Sequence, residues 1–405
     1  MNISFDLDSI TEKILEDFRK VTDPLADNTV KNIIESGYEK QINEIFMTLV
    51  RSSSYDETTF SGFDAELSIV LNDYFRKSSI LPEWADQSKI KIGEQVFITY
   101  GPEVFMLLNM SSLPMCYTCA KGAQVLYETG RLLSHNSDID PLARRLMETA
   151  QMIVNVMAPG GLSPNGMGVV TIQKIRLIHA SIRYFLKEGQ YKNTPWDTST
   201  YGEPINQEDL AGTLMSFGPV ILSGLKQLNV ELSESETDAY MHCWKIVGHL
   251  MGIQSELLPD TYEQGFELAS KILNHQAAES EAGKALTESC IDYVNHITPG
   301  NAFRNVPSFM MDFFLEEFSK ASGKDLSSFI GIQAESNRKD KIALSLTKYI
   351  VGKISHLEHH LFIRKVSSVF NRLLLQGIIH HFNGGKKVYF SIPPSLQKSW
   401  RVEKV

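Results

Sequence analysis

Three residues in one stretch carry side chains suited to binding a common ligand. Lys174-Ile175-Arg176-Leu177-Ile178-His179-Ala180-Ser181-Ile182-Arg183 places Arg176 three residues before His179 and Arg183 four after it, so a helix would put all three on one face. Ile172, Ile175, Ile178, Ile182 and Phe185 recur at helical spacing and make an apolar stripe beside that face. Burying two guanidiniums on such a helix is costly unless each meets an anion. A neutral imidazole can offer a ring nitrogen to iron, and arginines suit carboxylates. A haem would supply both partners, an iron for His179 and two propionates for Arg176 and Arg183. The alternative is a satisfied core histidine beside a solvated Lys/Arg edge.

Other constellations carry less. Cys116-Tyr117-Thr118-Cys119 has redox-motif spacing, but no strand-then-helix unit surrounds it, and small buried residues are the expectation there. One such pair cannot complete a four-ligand zinc site. His356 and His360 lie one helical turn apart without the order of a zinc-protease motif. His242 and His249, seven apart, fall near one helical stripe, where either could be a second residue beside a cofactor or an ordinary core or surface histidine. The turn-rich run from Pro159 to Gly168 lacks the strand, the Gly-Lys-Ser/Thr and the dinucleotide spacing of a phosphate cradle, and reads as a linker into the His179 helix. There is no nucleophile-elbow Gly-x-Ser-x-Gly and no P-loop.

Composition bounds these readings. The chain has 405 residues, 43% of them apolar and 21% charged, which is ordinary globular composition and length enough for more than one domain. A net charge of −9 argues against nucleic acid as the main partner. The first thirteen residues have neither a basic start nor an apolar run, and no segment reaches membrane-spanning length. The expectation is a cytoplasmic protein without a transmembrane segment. Homo-oligomerisation is allowed by the sequence and not specified by it.

The segments around His179 read as helices almost throughout. Residues 1–80 form a helical extension with no evident chemistry, with helices expected over 9–21, 28–49 and 63–75. A central core follows over 81–300. There Ile90 to Tyr100 precedes a helix that starts after Gly101-Pro102, and a helix over 116–133 carries the small residues Ala120, Gly122 and Ala123. Further helices run over 140–156 and through His179. Trp196 to Pro204 reads as a loop, Pro219 as a kink or an end, and Ser233-Glu234-Ser235-Glu236 as a capping box. Residues 301–405 form a C-terminal helical extension, with a short strand or hairpin over 388–392.

Several of these blocks, in order, resemble the rubber oxygenase (latex clearing protein) family, whose superfamily includes the membrane-bound oxygenase of the mycophenolic acid pathway. They are Trp84-Ala85-Asp86 through Gly93, Gly122 to Arg131 with Glu128-Thr129-Gly130-Arg131, Arg145-Leu146-Met147-Glu148-Thr149, and Arg176-Leu177-Ile178-His179-Ala180-Ser181-Ile182-Arg183. Gln207-Glu208-Asp209-Leu210 and Trp244 to Gly248 through Leu258-Pro259 follow. The Arg-x-x-His-Ala-x-x-Arg block is the most specific, and the resemblance spans about residues 80–300.

The resemblance implies an all-α, globin-like core holding a b-type haem. It makes His179 the proximal iron ligand, with Arg176 and Arg183 as haem neighbours. Glu128, Arg145 and Thr149 become the catalytic residues of an oxygenase that uses O₂ on a small apolar, isoprenoid- or lipid-like substrate. One position departs from the family: rubber oxygenases carry a Lys just before the distal Thr, and this chain has Glu148 there. That change of charge, with no secretion signal in view, implies a substrate smaller than rubber. The rival from another class is a haem- or lipid-binding helical carrier or sensor without turnover, favoured if Glu128 and Glu148 both face solvent. A cofactor-free helical scaffold is the third reading.

Overall fold

The computed structural model of the chain describes residues 5–51, 54–129, 140–189, 194–297 and 306–332. Among these residues the fold is all-helical, and the one β pairing is an isolated bridge between Cys119 and Ala277.

The N-terminal region opens with α1 (Glu12–Phe18), capped by the Thr11 hydroxyl, and α2 (Pro24–Ile33), with Asp23 as N-cap and Pro24 at its first position. The single helix expected over 28–49 is broken. A π-turn at Ile34–Tyr38 and a φ of +85° at Gly37, which glycine alone adopts cheaply, separate α2 from α3 (Ile42–Arg51). Then comes α4 (Ala65–Ser78), capped by Asp64.

Next, α5 (Gln87–Leu107) runs straight through Pro102, where the sequence suggested a new start. The buried Phe97, Val104, Phe105, Met106 and Leu107 hold it together. Their burial outweighs the roughly 3 kcal/mol that an interior proline costs. A π-helical segment (Leu108–Ser112) leads into α6 (Leu113–Thr118) and α7 (Ala120–Glu128). The helix expected over 116–133 thus breaks at Cys119, whose backbone (φ −76°, ψ 87°) is not helical.

The remaining elements are α8 (Asp140–Met157), α9 (Met167–Lys187), a short α10 (Thr198–Tyr201) inside the stretch read as a loop, and α11 (Gln207–Phe217). Pro219 then opens α12 (Pro219–Gln227), and α13 (Glu234–Leu250), α14 (Tyr262–Gln276), α15 (Glu281–Ile297), α16 (Val306–Ser322) and α17 (Leu326–Phe329) complete the described chain. No helix among the described residues is long and apolar enough to cross a membrane. The C-terminal helices and strand expected from the sequence, with His356 and His360, lie outside the described residues.

Two compact units divide the chain. The first takes Met1–Ile98, Glu148–Met215 and Ser235–Leu268; the second takes Thr99–Met147, Ser216–Glu234 and Ala269–Val405. In the first, an apolar cluster joins Ala26, Val30 and Ile33 of α2, Ile45 and Leu49 of α3, and Leu71, Tyr74 and Phe75 of α4 to Leu177 and Ala180 of α9. In the second, α15 packs on α6 and α7, and α16 packs on the π-helical segment.

Candidate functional site

The helix α9 is positioned at its start by close backbone contact. A Cβ on Gly168 would come within 2.7 Å of the Val156 Cα and the Gly161 carbonyl oxygen, so only glycine lets α9 leave the end of α8 at this angle. Several N–H groups of the preceding turn are hydrogen-bonded. Gly160 donates to Glu94 Oε1 at 2.7 Å and Gly168 to the Gly161 carbonyl at 3.0 Å. These bonds tie the turn to its neighbours as it leads into α9. Burial pushes the Glu94 carboxyl up, against the Gly160 N–H, which lowers it.

The middle of α9 is fixed by polar contacts to α4. The Tyr74 hydroxyl donates to the Gln173 carbonyl at 2.7 Å, and the Gln173 amide donates to the Phe75 carbonyl at 2.6 Å and to Ser78 Oγ at 2.8 Å. His179 follows on the next turn and a half, partly buried.

The two guanidiniums that flank His179 meet their anions inside the chain. Arg176 donates from Nε to Asp23 Oδ2 at 2.5 Å, from Nη2 to Asp23 Oδ1 at 2.7 Å, and from Nη1 to the Leu250 carbonyl at 3.1 Å. The Arg183 Nε donates to Asp27 Oδ1 at 2.7 Å, its Nη2 lies 2.6 Å from the same oxygen, and its Nη1 donates to the Ile205 carbonyl at 3.2 Å. Ile205 holds φ at +52°, a costly conformation for a β-branched residue, at the place where its carbonyl meets Arg183. The anions that meet these two guanidiniums are Asp23 and Asp27 at the start of α2. The N-terminal extension, which showed no chemistry as a sequence, supplies both.

A third buried cation completes this wall. Arg19 is wholly buried, with Nη1 2.8 Å from Asp209 Oδ1 and 3.2 Å from Glu208 Oε2, and Nη2 donating to the Tyr201 carbonyl at 2.5 Å. Its two carboxylates outweigh the opposing effect of burial and hold the guanidinium above its ordinary pKa. Gln207, next to Glu208, donates to the Thr22 and Gly252 carbonyls at 2.8 and 3.0 Å. The Gln207-Glu208-Asp209 block is therefore a docking point for the N-terminal segment. The one sequence signal for Asp23 and Asp27 was the need of buried arginines for anions, which says nothing about where along the chain the anions sit.

The other expected site residues divide between the units. Thr149 lies on α8 in the first unit, partly buried, beside an exposed Glu148. Glu128 ends α7 in the second unit, partly buried, and accepts from the Gln124 amide at 3.0 Å. Arg145 belongs to α8 in the second unit, and its side chain lies outside the described residues.

Elsewhere in the first unit, Trp84 stands edge-on to His242 and His249, with ring centroids 5.7 and 6.0 Å away, and Lys245 Nζ sits 4.8 Å over its ring. His242 Nε2 accepts the Asp86 N–H at 2.9 Å, so this imidazole is neutral at that nitrogen. The pair frames a tryptophan.

The donor set distinguishes between kinds of metal group. Among the described residues no three His, Cys, Asp or Glu side chains gather as a bare ion would require. One imidazole on a fixed, apolar-flanked helix fits an iron whose other ligands come from a macrocycle. The arginines, with donors committed to aspartates and carbonyls, fit as anchors of that helix.

Comparison with known proteins matches residues 107–320 to the family model described as ER-bound oxygenase mpaB/B′/Rubber oxygenase, catalytic domain. A rubber oxygenase of Streptomyces sp. (strain K30) is 23% identical over 282 residues, which cover 69% of this chain and 65% of that protein's length. A solved structure of latex clearing protein in its closed state superposes with a TM-score of 0.66 at 20% identity, covering 93% of this chain and 95% of that one.

Proposed function

Because the chain belongs to the family of ER-bound oxygenase and rubber oxygenase catalytic domains, we propose that it is a haem-dependent oxygenase acting with O₂ on a small apolar, isoprenoid- or lipid-like substrate. The observation that carries this reading is the setting of His179. A single partly buried imidazole stands midway between two arginines that are each locked to an aspartate. A b-type haem, when bound, supplies a redox-active iron for chemistry with dioxygen.

This chain's residues then have separate tasks. His179 would hold the haem iron through an imidazole ring nitrogen. Arg176 and Arg183 keep α9 from rotating, so that nitrogen is held in one direction before any cofactor arrives. Glu128, oriented by Gln124, takes or steers a substrate proton, Arg145 steadies its charge, and Thr149 donates a hydrogen bond. The apolar side chains of α9 exclude water.

The second reading, a haem- or lipid-binding carrier without turnover, gains from one observation: Glu148 is exposed. Glu128, partly buried and hydrogen-bonded, favours the enzyme.

The test is the absorption spectrum of purified protein, oxidised and dithionite-reduced, beside His179→Ala. The expected result is a Soret band that the substitution removes or displaces, with O₂ uptake on an isoprenoid alkene that Glu128→Gln abolishes. A wild type that stays colourless with added hemin overturns the haem reading. A band without O₂ uptake on any apolar substrate leaves the carrier.

A further inference from the structure

The four cysteines, none of them in a disulfide, fall into two classes. Cys243 and Cys290 are wholly buried, and burial pushes their thiols up, Cys290 to about 12, which leaves them inert. Cys116 and Cys119 are partly exposed, against the expectation from sequence that they would be small buried residues. Between them Tyr117 and Thr118 are fully buried, so of these four residues only the two cysteines are partly exposed.

The local geometry brings the pair together. The Cys119 N–H donates to the Cys116 carbonyl at 3.2 Å, closing a turn from residue i to i+3. Such a turn keeps its end Cα atoms within about 7 Å, and a disulfide takes roughly 4.4–6.8 Å. The two residues also differ in setting. Cys116 is inside the last turn of α6, whereas Cys119 is the N-cap of the nine-residue α7, which has no side-chain cap hydrogen bond. The positive end of a helix stabilises a thiolate at that position.

We propose that Cys116 and Cys119 form a reversible disulfide on exposure to a hydroperoxide. The Cys119 thiolate attacks the peroxide; an S–O bond forms, the O–O bond breaks, and the departing oxygen leaves as an alcohol or water after taking a proton. The Cys116 thiolate then attacks the sulfenic sulfur; the S–S bond forms and the S–O bond breaks, releasing water. In sum, two thiols and one hydroperoxide give one disulfide, one alcohol or water, and one water. The bond ties the end of α6 to the start of α7, the helix that carries Glu128 at its far end. A disulfide at this partly exposed site is open to exchange with a small dithiol. The proposal does not depend on the oxygenase reading.

The experiment treats the full chain with a small excess of hydrogen peroxide, alkylates it with iodoacetamide, and reads intact mass and the peptide that contains both cysteines. The expected product has lost two hydrogens in that peptide, alkylates there roughly tenfold less, and is restored by dithiothreitol. Amide exchange in the first turn of α7 slows with it. In Cys116→Ser, Cys119 stops at a sulfenic acid that dimedone traps, while Cys119→Ser gives no trapped product at Cys116. Sulfinic acid at either position, a disulfide between chains, unchanged alkylation, or trapping at Cys116 overturns the proposal.

Discussion

The two units solve the same problem, burying helices against helices, by different means. In the first, cations are taken into the interior and met there: Arg19 with Glu208 and Asp209, Arg176 with Asp23, Arg183 with Asp27. In the second, the ion pairs given by Lys284 with Glu279 and Lys320 with Glu316 lie at the surface. Among its described residues, interior contacts include hydroxyls on carbonyls, such as Ser112 Oγ to the Ser216 carbonyl at 2.6 Å, and close passages such as Gly224 against the Leu107 side chain. Apolar packing tolerates small slides of one helix on another, because neighbouring arrangements bury similar area. A buried arginine does not, because a shift of one residue strands its charge. The unit that contains His179 has its helix rotation fixed in this stricter way.

Arg19→Ala breaks this contrast most directly. It leaves two carboxylates with their partner gone and costs about 3–5 kcal/mol of unfolding free energy, read from denaturant midpoints. Asp23→Ala costs about as much, since it strands Arg176 and removes the α2 N-cap; Asp23→Asn keeps the cap and loses less. With hemin bound, both Asp23 variants shift the Soret band if Arg176 orients α9, and leave it in place if the pair is structural only. Gly224→Ala in the second unit costs less, about 1–2 kcal/mol, because its new Cβ meets the far end of a leucine side chain that can move. Ser223→Ala removes the hydroxyl that donates to Glu317 and costs roughly 1 kcal/mol.

The smallest effect is one of pH. Burial and the neighbouring Lys89 and Lys245 lower the His242 pKa below its ordinary 6.5, while Asp86 and Asp260 oppose them. The unfolded chain therefore binds the proton first, and stability falls as pH drops through 6.5 toward the folded value. His242→Gln should flatten that part of the Tm–pH curve. His249, lowered chiefly by burial, adds to the same slope, so the curve keeps some inclination.

Much of this was readable from residue order. The 3.6-residue period identified α8, α9, α13 and α15, and the Arg176–His179–Arg183 face followed from spacing alone. The misreadings share a cause. Gly101-Pro102 is a local signal for a helix end, and Cys119 carries no local signal at all; burial of distant side chains decided both. The arginines' partners were illegible for the same reason. Asp23 lies 153 residues from Arg176, and Asp27 lies 156 residues from Arg183.

Residue order alone specifies that the chain is helical, which residues share the His179 face, and that the two arginines on that face require anions. Those are short-range properties, set by helix geometry and by the cost of burying charge. Long-range packing settles that Asp23 and Asp27 answer that requirement, that Glu128 and Thr149 fall in different units, and that Cys116 and Cys119 are partly exposed while Cys243 and Cys290 are buried. Each depends on which distant segment packs against which, and burial, unlike periodicity, is not a property of neighbouring residues.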